Sequence, residues 1–245
     1  LDDDSFIDDP ELFCKLLTAM EEDLSIGMSG AACEIPEWAS SFQKRAMKEI
    51  PRRYFPTQSQ SVDSDMVQHP CLLMRTEFFK SIGGEDEDLI RGLDPVLRKK
   101  VRDAGKRVVV VRDTWVYHLL PPTWRALLKM YFRNGKGSGY AQRYFSERVL
   151  ELTDGCDEGS FVEKRPLFFR ISRRLEGCLR ALFCGQWIQF STDLAYAFGV
   201  VKERLVPSSL QVAPRVVSRD KESRKGEVFD IEVHWVTLDG FGKPN

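Results

Sequence analysis

Four consecutive valines, Val108 to Val111, follow Gly105 after only two residues. An unbroken β-branched run places apolar side chains on both faces of a strand, because successive residues point to opposite sides. Such a strand is stable only inside a sheet covered on both faces, which obliges the rest of the chain to supply helical layers. The segment DPVLRKKVRDAGK, just before the valines, is predicted as one such helix, with Asp94 as its cap, Pro95 in its first turn and Gly105 as its stop. Earlier, IGMSGAACEI reads as a small-residue strand whose glycines allow close approach of backbone or ligand. PCLLMR reads as a short apolar strand, and TEFFKSIGG as a helical turn closed by glycine. This order predicts an α/β fold with a mixed, mainly parallel sheet.

Around that centre, PELFCKLLTAMEED has Leu12, Phe13, Leu16, Leu17 and Met20 at spacings of three and four, which predicts a helix burying one stripe. Residues 36–65 are mostly turn and polar loop, with SSFQKRAMKEI as the helical candidate. Substrate contacts and a plain surface excursion are both compatible with that loop. RDTWVYHLLPPT is expected to leave the sheet through aromatic residues to His118. Next comes a basic amphipathic helix interrupted by GKGSG, which lacks a preceding strand and the phosphate-loop spacing. It is therefore expected to be a flexible break between helices. Residues 166–205 form a long helical tract, with Leu167, Phe168, Ile171, Leu175, Leu179, Leu182, Phe183, Ile188, Leu194 and Phe198 as apolar contacts. Arg165, Arg170, Arg173, Arg174 and Arg180 lie in the same region. An interfacial membrane helix and a helical pair packed on the sheet both fit this pattern. The three regions are thus 1–120, a basic helical region 121–205 and a tail 206–245 in which VFDIEVHWVTL is a possible strand.

Charge is spread unevenly. Residues 1–26 hold nine acidic residues and one basic one, whereas residues 123–148 hold six basic residues and one acidic one. The basic run admits a phosphorylated ligand or an anionic lipid headgroup as partner. A nucleic-acid-binding module is the disfavoured alternative, because the aromatics near the run follow a helical burial pattern, not a stacking platform; no nucleic-acid partner is expected. The six cysteines are scattered without a CxxC pair, and with three histidines they argue for reduced thiols and against structural zinc. No stretch reaches about 18 apolar residues without charge, the length that would mark a membrane span.

Three consecutive aspartates, Asp2, Asp3 and Asp4, repel one another unless a cation sits among them. Carboxylates at i and i+2 suit Mg2+ or Mn2+ bridging a diphosphate, and a solvated acidic loop is the alternative. Asp94 is held at the C-terminal edge of the sheet, where α/β proteins bind ligands, and could take a proton from an acceptor hydroxyl while also capping its helix. His118 could join Asp2 or Asp4 across neighbouring strand ends, and two carboxylates with an imidazole suit Mn2+.

Three stretches in this order, LDDDSF, FFKSIGGEDEDLIRGLDPVLRKKVRDAGKRVVVV and WVYHLLPPTWRALLKMYFRNGKGSG, resemble the inverting glycosyltransferases of family 2, which have the GT-A fold. The resemblance spans roughly residues 1–140. It implies a DxD motif in which Asp2 and Asp4 hold the metal and diphosphate, with Asp3 contributing to the cofactor site. It further implies Asp94 as catalytic base and His118 as a metal or diphosphate contact. The implied function is metal-dependent transfer of a sugar from a nucleotide-sugar donor to a glycan or lipid-linked acceptor, with inversion. The implied location is cytoplasmic and peripheral to the cell membrane. Leu93 stands where the family carries an acidic residue before the base, and Glu85 stands where it carries an aromatic. These departures keep open a non-catalytic, transferase-like binding or partner domain. Because the chain starts inside the acidic motif, the resemblance leads us to expect a GT-A domain truncated at its N-terminus, with a C-terminal helical extension.

Overall fold

The valine run lies at the centre of the molecule. In the computed structural model, which describes residues 4–86, 88–89, 91–150 and 167–206, strand β4 (Arg107–Tyr117) pairs in parallel with β1 (Ile26–Glu34). Short antiparallel strands flank them, giving the order β2 (Val62–Asp63), β4, β1, β3 (Leu72–Leu73). The sheet is therefore mixed as expected, with the long central pair parallel. It is not mainly parallel, because both flanking pairings run antiparallel.

Two layers cover the sheet. Helix α1 (Leu12–Glu22) sets Leu12 and Leu16 against Ala31, Val111 and Val116. Among the described elements that follow are α2 (Ser41–Glu49), α3 (Thr76–Ser81) and α4 (Leu93–Asp103). Leu97 and Val101 of α4 meet Met28, Ala32, Val108 and Val110 on the opposite face. All four valines are buried, and full burial of such a side chain is worth about 1.5–3 kcal/mol. The α1 stripe is narrower than its spacing suggested. Leu12, Leu16 and Met20 are buried, but Phe13 and Leu17 remain 46% and 48% exposed, since one sheet face contacts only one side of the helix.

Strand β4 does not end at the valines. Its pairing with β1 jumps from Gly30↔Val110 to Ala32↔Trp115, so extra residues of β4 bulge out around Asp113, whose φ is 51°. Pairing then resumes to Tyr117. The expected exit from the sheet through Trp115 to Tyr117 is thus an extension of the strand, and it carries His118 to the C-terminal edge of the parallel pair.

Helix α5 (Trp124–Tyr144) runs unbroken through GKGSG, so the expected flexible break is absent there. Helices α6 (Leu167–Phe183) and α7 (Trp187–Leu205) follow. The glycines serve close packing. A Cβ on Gly135 would stand 2.0 Å from the Tyr196 carbonyl oxygen, and one on Gly199 would stand 2.2 Å from that of Phe132. The 166–205 tract is therefore a pair of helices, with α7 seated on α5 and, through Ile188, on α2. Much of its remaining apolar surface faces solvent: Phe168 and Phe183 are each 83% exposed, and Leu175, Leu179, Leu194 and Phe198 are also exposed. Among the described residues no helix is long and apolar enough to cross a membrane. The tail beyond Val206, with its possible strand VFDIEVHWVTL, and Arg165 fall outside the described residues, as do the side chains of Leu167, Arg170 and Ile171.

Candidate functional site

His118 follows β4 at the edge where β1 also ends. The segment before α1 reaches this edge through Phe6, which forms an antiparallel bridge with Tyr117, its N–H donating to the Tyr117 carbonyl at 2.8 Å. That bridge brings Asp4 to His118, with Oδ1 3.2 Å from Nε2. One of the expected carboxylates therefore meets the histidine. Asp2 and Asp3, together with the strand expected to end at Leu1, lie outside the described residues. Among the described residues no group of three carboxylate, imidazole or thiol side chains is arranged to hold a metal ion. The Asp4–His118 pair fits a divalent ion chemically, because an imidazole nitrogen and a carboxylate oxygen are both good donors to Mn2+.

His118 borders a narrow cleft of about 20 Å³, room for a single water, whose lining includes Cys33, Arg52, Arg53, Gln68 and Pro70. The two arginines follow α2, where Arg52 takes a left-handed backbone, φ 64°, that few non-glycine residues adopt. The Arg52 guanidinium donates to the Asp65 carbonyl, and its own carbonyl accepts from Gln68 Nε2 at 3.3 Å. Arg53 lies over the Tyr131 ring of α5 and donates through Nε to the phenol oxygen at 3.2 Å. Burial pushes the Cys33 thiol up to about 11, so it stays protonated and is no nucleophile near neutral pH.

Gln68 and Pro70, which line this cleft, flank His69. The His69 backbone N–H donates to Asp94 Oδ1 at 2.8 Å, and Nδ1 reaches the same oxygen at 2.5 Å. Nε2 stands 2.5 Å from Glu85 Oε1. With a carboxylate at each ring nitrogen the imidazole is doubly protonated. The Asp94 hydrogen bond, aided by Glu85 and opposed by burial, pushes it up to about 9. Burial raises the Asp94 carboxyl, but the His69 hydrogen bonds and charge outweigh it and hold the group below its ordinary value.

Asp94 is not the helix cap its position suggested. Gly92, with φ 83°, occupies the cap of α4, so Asp94 falls within the first turn and its side chain turns to His69. Two carboxylates of the acidic loop before it share one arginine. Arg148 holds Asp86 at 2.9 Å and Asp88 at 2.8 Å, while Lys100 donates to the Gly84 carbonyl at 2.7 Å.

Sequence reasoning thus singled out Asp4, Asp94 and His118 but missed His69, Arg52 and Arg53. The adjacent arginines in PRRY, inside a loop already open to substrate contacts, were a usable signal. His69 offered none, because both its partners are distant in sequence. Comparison with protein-family models, with curated proteins and with solved structures yields no match to this chain.

Proposed function

We propose that the chain carries the metal and acceptor side of an inverting glycosyltransferase that uses a nucleotide-sugar donor. The observation that carries the reading is the Asp4–His118 pair at the C-terminal edge of the parallel strands; His118 borders the same cleft as Gln68 and Pro70, which flank His69, the partner of Asp94. Ligands of α/β folds bind at that edge. The cleft as it stands is too small to enclose a nucleotide, so it would form only the floor beneath the donor.

In this reading Asp4 and His118, with Asp2, would hold Mn2+ or Mg2+, which would supply positive charge to offset that of a departing diphosphate. Arg52 and Arg53 add fixed positive charge beside His118. The second oxygen of Asp94 accepts the proton of an acceptor hydroxyl as the hydroxyl oxygen bonds to the anomeric carbon and the bond from that carbon to the diphosphate oxygen breaks. One displacement inverts the anomeric centre. The exposed apolar stripe Leu194, Phe198, Val201 and Leu205, with Lys202 and Arg204 beside it, supports a position against an anionic membrane surface, near a lipid-linked acceptor.

The second reading, a non-catalytic partner domain that binds a glycan or a sister subunit, is favoured by Leu93 in place of an acid and by the commitment of Asp94 Oδ1 to His69. Nucleoside-diphosphate release decides between them. The full natural polypeptide containing this sequence is incubated with a panel of nucleotide sugars, with Mn2+, Mg2+ or chelator and with membrane extract as acceptor source. Metal-dependent release from one donor, reduced about 100-fold or more by Asp94→Asn, supports the transferase. No release by the folded protein from any donor supports the partner domain.

A further inference from the structure

The carboxylate proposed to act as base is already engaged, and its partner is a residue with no role assigned so far. Both bonds from His69 fall on one oxygen of Asp94, Oδ1. Two hydrogen bonds to the same oxygen restrict rotation of the carboxylate, and its other oxygen takes no hydrogen bond among the described residues, so it is available to an acceptor hydroxyl. On its far side the imidazole is tied to Glu85, which sits just past Gly83 and Gly84, both with positive φ. The chain Asp94–His69–Glu85 therefore links the first turn of α4, the cleft segment and the acidic loop through one ring.

We infer that His69 is the positioning residue of this site: it fixes Asp94 for proton acceptance and, through Glu85, couples the acidic loop to that carboxylate. The inference rests on the transferase reading. It explains how Asp94 is oriented without the preceding acid, for which Leu93 stands. The groups that face this unit are Glu85 from the loop, Asp94 from α4 and, one turn along α4, the buried Arg98, whose charge also bears on Asp94. Arg98 is itself anchored by donating to the Val67 carbonyl, so the unit stands on a fixed cationic floor.

The geometry has a defined consequence for basicity. An imidazolium on Oδ1 holds Asp94 ionised to a lower pH than an ordinary carboxylate, and loss of that charge returns it toward the ordinary range. A residue that only filled space would leave the pH dependence where it was. His69→Gln, which retains a side-chain hydrogen-bonding group but not the charge, separates the two roles.

The test combines kinetics with ring titration in the full natural polypeptide. Nucleoside-diphosphate release is followed against pH for wild type, His69→Gln and Glu85→Gln. In parallel the histidine ring signals are titrated by NMR in wild type and Asp94→Asn. The expected result is a fall in kcat of about 100-fold in His69→Gln with donor KM unchanged, and an acid limb displaced to higher pH. A smaller effect in the same direction is expected for Glu85→Gln, whose exposed site tolerates the change if His69→Gln fails to fold. One ring should titrate near 9 in wild type and well below that in Asp94→Asn. An active wild type whose rate and pH profile survive both substitutions, or a His69 ring that titrates at the ordinary 6.5, overturns the inference alone. An inactive, folded wild type overturns the transferase reading and the positioning role with it.

Discussion

His118 Nε2 and Asp4 Oδ1 stand 3.2 Å apart, brought together by the bridge of Phe6 to the last residue of β4. The pair is a contact between an exposed carboxylate and a half-buried ring, so as an ion pair it contributes little to stability. A ligand role is proposed for it because it lies at the sheet edge where α/β proteins bind ligands.

The first prediction concerns that pair. His118→Ala and Asp4→Asn are each expected to weaken Mn2+ binding by at least about tenfold while leaving the thermal midpoint nearly unchanged. Titration of Mn2+ by electron paramagnetic resonance, beside a melting curve, checks both halves. Equal Mn2+ affinity in wild type and variants would remove the pair from any metal site.

A second prediction follows from His69. Its folded value is raised from 6.5 to about 9, so the stabilisation it gives is complete below pH 6.5 and is lost as pH rises through about 9. Asp94, held below its ordinary 3.8, contributes above that value and loses its contribution as pH falls through its lower folded value. Urea unfolding below 6.5, between 6.5 and 9, and above 9 should show wild type weakening across the middle interval. His69→Gln should lack that slope.

The helical layer gives a third. Gly135→Ala places a methyl carbon 2.0 Å from a carbonyl oxygen of α7, so the two helices must move apart. Overpacking of this kind costs about 1–3 kcal/mol, against a small gain in helix propensity. Gly177→Ala, in open space on α6, should be neutral or slightly stabilising in the same denaturation assay.

A fourth addresses the exposed apolar stripe of α7. Phe198→Glu and Leu205→Glu are each expected to lower binding to vesicles containing anionic lipid by about tenfold or more, since each removes a large apolar side chain from the contact. Added salt should weaken wild-type binding further. Unchanged co-sedimentation of the variants would exclude this face as the membrane contact.

Much of the fold was legible because local signals agreed. The four valines, the glycine before them and the proline at the start of α4 each point to the same strand and helix, and the structure has both. Where signals were ambiguous, tertiary contact decided. GKGSG reads as a breaker in isolation, yet its glycines lie inside α5, where α7 approaches Gly135 and Gly139 too closely for a side chain and Arg91 does the same at Gly137. Asp94 reads as a cap because aspartate favours that position, but Gly92 with its positive φ took the cap and released the carboxylate to His69. The site divides the same way. Asp4 and His118 lie in recognisable runs, whereas His69 gains its meaning only from a partner 25 residues away and another 16 away.

The glycine contact between α5 and α7 reaches further than packing. On its other sides α5 presents Tyr131, on which Arg53 rests, and Asn134, which accepts a hydrogen bond from Arg91 of the acidic loop. One helix is thus pressed against α7 along one flank and holds Arg53, which lines the cleft, and Arg91 along another. A shift of α7 by the width of a methyl group would press on the helix that holds Arg53, so packing in the helical layer bears on a side chain that lines the cleft.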